Sequence, residues 1–106
     1  EYEKVLNLFI SENSNEIKNY PCVVPNWDNT PRSGSNGLVL HNSTPELFRR
    51  QLKKAISITK DVSPETDIIF FKSWNEWAEG NYLEPDRRFG MGYLEVIREE
   101  LGIKAT

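Results

Sequence analysis

An α/β fold with about two parallel strands and three helices is the class this sequence predicts, and three observations predict it. The run Asp67-Ile68-Ile69-Phe70-Phe71 has no polar interruption after its first residue, the pattern of a strand covered on both faces in a parallel sheet. The predicted elements alternate as helix, strand, helix, strand, helix, which is the order of layered α/β proteins. The chain has 106 residues, of which 38% are hydrophobic and 27% charged, a globular composition with room for one core and not two.

The elements follow in order. Tyr2, Val5, Leu6, Phe9 and Ile10 recur at spacings of three and four, the stripe of an amphipathic helix over about 2–10. The polar run Ser11 to Asn15 breaks it. Tyr20-Pro21 then turns the chain extended, because a residue before proline avoids the helical region, and Cys22-Val23-Val24 with Pro25 reads as a short buried strand over about 21–25. Residues 26–44 form a long loop rich in turn formers that still carries Trp27 and Leu38-Val39-Leu40, so it is expected to be ordered and to bind. Ser43-Thr44-Pro45-Glu46 is a helix start: a hydroxyl cap, proline at the first helical position and a carboxylate near the positive end of the dipole.

That helix spans about 45–60, with Phe48, Leu52, Ala55, Ile56 and Thr59 on its core stripe and the basic run Arg49, Arg50, Lys53 and Lys54 facing water. Ser63-Pro64-Glu65 connects it to a second strand over about 67–74. A loop at 75–90 follows, and a last helix over about 91–101 uses Tyr93, Leu94, Ile97 and Leu101, with Gly102 as its stop.

Composition excludes several functions. Thirteen basic against sixteen acidic residues, net charge -3, give no field to attract a phosphate backbone, so nucleic acid is not an expected partner. Cys22 and His41 are single, which leaves no disulfide, no cysteine-based zinc site and no metal expectation. No apolar run approaches the roughly 20 residues of a membrane span, and a cytoplasmic location is expected. The chain starts at Glu1 without a signal pattern and is read as cut from something longer. There is no Asp-x-Asp pair to hold a metal and a diphosphate, and Ser33-Gly34-Ser35-Asn36-Gly37 lacks the Lys-Ser/Thr of a phosphate-binding loop.

Chemistry concentrates in Ser73-Trp74-Asn75-Glu76-Trp77-Ala78-Glu79-Gly80-Asn81-Tyr82-Leu83-Glu84-Pro85-Asp86. This stretch sits at the carboxyl end of a strand, where α/β sheets and barrels place their ligands. Indole faces pack on pyranose rings while amides and carboxylates bond the hydroxyls. Glycosidic chemistry further needs two carboxyl groups in different protonation states across one bond. Glu76 and Glu79 fit, provided that the chain bends after Glu76, since residues three apart on a strand face opposite ways; Gly80 offers the bend. The competing reading is two solvated glutamates beside packing tryptophans. Trp27, Asp28 and Arg32 are further substrate candidates, against a loop-ordering Trp and an Asp-Asn turn. Tyr82, Glu84 and Asp86 read first as groups that fix the loop and second as pocket lining, and His41 as a structural hydrogen bonder.

Pro25-Asn26-Trp27-Asp28-Asn29-Thr30-Pro31-Arg32, His41-Asn42-Ser43-Thr44-Pro45-Glu46, Trp74-Asn75-Glu76-Trp77-Ala78-Glu79-Gly80, Tyr82-Leu83-Glu84-Pro85-Asp86 and Gly92-Tyr93-Leu94-Glu95 together resemble the carboxyl-terminal part of the WbsX-type proteins. These are assigned as glycosyltransferases of surface-polysaccharide and lipopolysaccharide O-antigen synthesis and grouped with glycoside hydrolase family 99-like domains. The likeness runs from Tyr20 to Leu101. It implies the last two strand-helix units of a (β/α)8 TIM-type barrel, so that the chain is one partial domain whose partner is the remainder of its parent. In the family 99 hydrolases, endo-acting on α-mannosides, the residue similar to Glu76 is assigned to deprotonating the sugar 2-hydroxyl. The one similar to Glu79 is the acid/base for the leaving oxygen. That pattern has a histidine where this chain has Ala78.

The function expected from this resemblance is glycosyl transfer by the parent protein, with Glu76 and Glu79 catalytic and Trp27, Asp28, Arg32, Trp74, Asn75, Trp77, Tyr82 and Glu84 binding substrate. The donor would be a nucleotide-linked or lipid-linked sugar, with no other cofactor evident. The alternatives are an endo-acting glycoside hydrolase and a non-catalytic carbohydrate-binding unit. The isolated segment is expected to be inactive.

Overall fold

The computed structural model describes residues 1–10, 20–60 and 67–104; the polar break at 11–15 and the connector at 63–65 lie outside the described residues. Four α-helices and a small parallel sheet make up a mixed α/β arrangement among the described residues. In order they are α1 (Tyr2–Val5), β1 (Cys22–Val23), α2 (Thr30–Ser33), α3 (Pro45–Lys60), β2 (Phe70–Phe71), β3 (Asn75–Glu76), β4 (Asn81–Tyr82) and α4 (Gly92–Glu100). Short 3₁₀ turns follow α1 (Leu6–Leu8), α2 (Gly34–Asn36) and β3 (Trp77–Glu79).

The central helix α3 begins where its start signal says. The Leu47 N–H donates to Thr44 Oγ1 at 3.2 Å, one of the orphan donors that every helix start must satisfy. Thr44→Ala is expected to cost about 1 kcal/mol, readable as a lowered denaturant midpoint at unchanged slope. The helix buries Phe48, Leu52, Ala55 and Thr59, together with Gln51. Gln51 escapes a reading based on apolar spacing because its amide serves the backbone: Oε1 accepts the Val24 N–H at 2.6 Å and Nε2 donates to Leu6 O at 3.5 Å.

Around α3 the core gathers Ile10, Val23, Leu83, Tyr93 and Val96, with the Phe48 and Tyr93 rings edge to face at 5.6 Å. Tyr2 is fully buried and its hydroxyl donates to Val24 O at 2.6 Å. Burial, with a smaller contribution from Tyr93, pushes that phenol well above its ordinary pKa. The basic run does not simply face water. Arg49 reaches Glu99 at 2.7 Å and Glu100 at 2.6 Å on α4, and Arg50 reaches Glu3 at 2.7 Å, so part of it ties α3 to its neighbours.

β1 pairs with β2 in parallel, Cys22 opposite Phe70 and Val23 opposite Phe71. The second strand departs from expectation in two ways. It is regular only over Phe70–Phe71, not 67–74; its end comes where Asn81 holds the Lys72 carbonyl and Ser73 bonds back to Asn81 O. It is also not covered on both faces: Ile69 and Phe71 pack on the core, while Ile68 is 46% and Phe70 56% exposed. Side chains of α3 and α4 supply the core on one side; the Phe70 ring meets Tyr20 edge to face, centroids 6.3 Å apart, and stays largely exposed. The first helix likewise tightens into a 3₁₀ turn after Val5, a common helix end. The loop at 26–44 contains α2 and closes on itself through the Leu40 N–H to Trp27 O bond at 2.8 Å.

Candidate functional site

Two buried amides build the site. Asn81 donates to Asn26 O at 2.6 Å and to Lys72 O at 3.0 Å. Asn26 accepts the Tyr82 N–H at 2.8 Å and donates to Tyr82 O at 3.2 Å. These bonds fasten the loop after β1 to the antiparallel hairpin β3–β4, in which Asn75 lies opposite Tyr82 and Glu76 opposite Asn81. Ser73 Oγ donates to Asn81 O at 2.7 Å and accepts the Glu76 N–H at 3.2 Å, which aims the chain into β3. Buried polar groups need such partners, so the hairpin is held by side chains that a hydrophobic pattern does not reveal.

The bend required after Glu76 is present. The chain turns through Trp77–Glu79 and leaves by Gly80 in the left-handed region, φ 54° and ψ 34°. There the Asp28 N–H donates to Glu79 O at 2.9 Å. As a result both carboxylates meet one guanidinium: Arg32 lies 3.8 Å from Glu76 Oε1 and 3.5 Å from Glu79 Oε1. Lys72 adds a second cation, 3.6 Å from Glu79 Oε2. The side chains of Glu76 and Glu79 are 43% and 24% exposed. At these distances the pairs are long for hydrogen bonds, and exposed ion pairs are worth about 0–1 kcal/mol. The cluster therefore contributes little to stability, and its two carboxylates stay open to solvent.

The other predicted residues divide. Trp77 stacks on Tyr82 with centroids 3.8 Å apart and 16° between planes, and its Nε1–H donates to Glu84 Oε1 at 3.1 Å. Tyr82 donates to Asp86 Oδ2 at 2.8 Å; burial first, then that bond, pushes its phenol up to about 12, so it stays a neutral donor near neutral pH. Tyr82, Glu84 and Asp86 thus do fix the loop. The Trp74 ring is exposed while its carbonyl accepts the Leu83 and Glu84 N–H groups, and Asn75 is exposed within β3. Trp27 lies under Lys72, whose Nζ is 5.3 Å from the ring centroid.

Asp28 Oδ1 accepts hydrogen bonds from the Thr30 hydroxyl and N–H, and these, the hydroxyl first, hold the carboxyl below its ordinary range. A lowered folded value means that its contribution to stability is present above the ordinary aspartate pKa, about 3.9, and fades as pH falls through the lowered one. Thr30→Val should move the Asp28 titration back upward, as read by carboxyl-carbon chemical shifts. An unmoved titration would contradict the assigned cause.

A separate groove of about 390 Å³ is lined by Trp27, Asp28, His41, Trp77, Tyr82 and Arg88 among others, and by neither Glu76 nor Glu79. His41 lines it, and its side chain makes no hydrogen bond among the described residues. It is the His41 carbonyl that acts structurally, accepting the Tyr2 N–H at 2.8 Å.

Sequence reasoning missed Lys72, Asn26 and Asn81. Lys72 carries a positional signal, since it stands at the carboxyl end of β2. The two asparagines carry none. Among the described residues no group of three or more His, Cys, Asp or Glu is placed to hold a metal ion, and no helix is long and apolar enough to cross a membrane.

Comparison with known proteins adds three findings. The family described as glycosyltransferase WbsX matches residues 1–97. Proteins described as uncharacterized, WxcX, from two strains of Xanthomonas campestris pv. campestris are 37% identical over 83 residues, 77% of this chain and 12% of theirs. The chain therefore spans about an eighth of the length of these curated relatives. No solved structure matches it.

Proposed function

This chain belongs to the glycosyltransferase WbsX family, and from that premise we propose that it carries the reacting carboxylates of an enzyme acting on carbohydrate in surface-polysaccharide or lipopolysaccharide O-antigen assembly in the cytoplasm. The observation that carries this reading is the convergence of Glu76 and Glu79 on Arg32. We further propose that the chain is the carboxyl-terminal part of a (β/α)8 barrel. Its support is the parallel β1–β2 pair and the exposed apolar face at Ile68 and Phe70, where another layer would pack. A complete barrel takes about 250 residues, so in this reading the chain is one partial domain whose partner is the rest of the parent.

In this proposal Glu79, as an acid, gives its proton to the oxygen of the departing group and takes one back from the incoming hydroxyl. Glu76 takes the proton of the 2-hydroxyl as that oxygen bonds to the anomeric carbon and the bond from this carbon to the departing oxygen breaks; when the incoming hydroxyl then attacks the same carbon and frees the 2-oxygen, Glu76 returns the proton to it. Arg32 and Lys72 offset the negative charge that accumulates when both carboxyl groups are ionised. Trp74 and Trp77 offer aromatic faces to sugar rings, and Asn75 an amide to their hydroxyls. The incoming hydroxyl belongs to a second sugar in a transferase, whose donor is then a nucleotide-linked or lipid-linked sugar. It belongs to water in a hydrolase of the family 99 type. The carboxylate pair favours that second reading equally, while the absence of a histidine at Ala78 sets the surroundings apart.

The test uses the full-length protein with the polysaccharide of its source. Sugar incorporation that requires an added donor supports the transferase; release of reducing ends without any donor supports the hydrolase. Sugar binding with neither activity would leave a non-catalytic carbohydrate-binding unit and overturn the proposal.

A further inference from the structure

Of the residues that line the groove between the loop after β1 and the segment that leads into α4, the chemistry above uses only Trp77. The groove's volume of about 390 Å³ lies in the range of small-molecule sites, about 300–1,000 Å³. Its wall includes Trp77 and Tyr82, stacked at 3.8 Å, and Phe89. Three polar residues that line it have side-chain capacity the described fold does not use. His41 makes no side-chain hydrogen bond among the described residues. Arg88 makes no ion pair there and rests its guanidinium 4.9 Å from the Phe89 ring centroid. Asp28 engages only one of its two carboxylate oxygens.

One cation and one carboxylate offset each other, so the lining does not select a strongly anionic ligand. An aromatic wall beside donors and acceptors of both signs suits a ring with apolar faces and many hydroxyls. We propose that this groove is a second saccharide site, which holds a neutral sugar unit away from the Glu76 and Glu79 pair. The inference rests on the reading that the protein acts on carbohydrate. Trp77 and Glu79 share one turn, so a saccharide chain seated on the indole lies next to the carboxylates without occupying them.

The test titrates the full-length protein carrying Glu76→Gln with methyl α-glucoside, methyl α-mannoside, glucuronic acid and inorganic phosphate, following the Trp77 indole and His41 imidazole signals by NMR. At least one methyl glycoside is expected to move both signals. Arg88→Ala and His41→Ala, both changes at exposed positions, are each expected to weaken that binding roughly tenfold as read at Trp77, the loss of a hydrogen bond to a charged or polar partner. Three results would overturn the inference: neither glycoside moves the signals, phosphate or glucuronic acid binds at least tenfold more tightly than both, or both variants leave the affinity unchanged. Failure of the catalytic reading is seen separately, as turnover that survives Glu79→Gln, and leaves the groove titration as it was.

Discussion

Glu79→Gln in the full-length protein should lower turnover by about 10²–10⁴-fold, the contribution of a positioned general acid and base, with sugar affinity nearly unchanged. The substitution keeps the shape of the side chain and removes only its ability to exchange a proton. It also removes the charge that faces Arg32 at 3.5 Å and Lys72 at 3.6 Å, but partly exposed pairs of that length contribute little to stability, so the fold should survive. Glu76→Gln should lose turnover on a similar scale. The double variant should lose little more than either single one, because residues that act as one unit are not additive. Equal turnover in wild type and Glu79→Gln, measured at saturating substrate, would remove the catalytic assignment.

Gly80→Ala should be the most damaging small substitution near the site, costing about 2–5 kcal/mol and taking turnover with it. Two effects add. The left-handed φ of 54° costs a residue with a Cβ roughly 1–2 kcal/mol. The new methyl would also lie 2.6 Å from Asp28 O and 2.8 Å from Asp28 N, backbone atoms that can yield only by moving the loop, at about 1–3 kcal/mol for overpacking. Relief of the clash stretches the Asp28 N–H to Glu79 O bond and displaces Glu79 from Arg32. Gly90→Ala is the control: its φ is 55° but its Cβ would meet nothing within 4 Å, so only the conformational cost applies. Denaturant midpoints of the two variants should therefore differ clearly. Equal midpoints would mean that the close approach at Asp28 does not matter.

What the sequence made legible follows from how local each signal is. The start of α3 is written in four consecutive residues, Ser43-Thr44-Pro45-Glu46, and its buried stripe in a 3.6-residue period, so both can be read without knowing the fold. The carboxylate pair could be named from residue types near a strand end and from a resemblance. Its convergence could not, because it depends on Arg32, 44 positions before Glu76 in the numbering, and on a loop fastened by Asn26 and Asn81. Amides that satisfy backbone groups tens of residues away, like Gln51, leave no periodic trace. The end of the second strand after Phe71 has the same origin, since nothing local marks it before Asn81 holds the Lys72 carbonyl. The expectation that this strand is covered on both faces came from its uninterrupted apolar run, and such a run reports what each face is made of, not what lies against it.

The central claim, that Glu76 and Glu79 form one reacting centre, is tested most directly by a crystal structure of the full-length protein, carrying Glu79→Gln, with an oligosaccharide bound. The predicted result places the oxygen of one glycosidic bond within hydrogen-bond reach of residue 79 and the 2-hydroxyl of the adjoining sugar within reach of Glu76. A sugar bound elsewhere, with Glu76 still turned to Arg32 and no glycosidic oxygen near either residue, would contradict it.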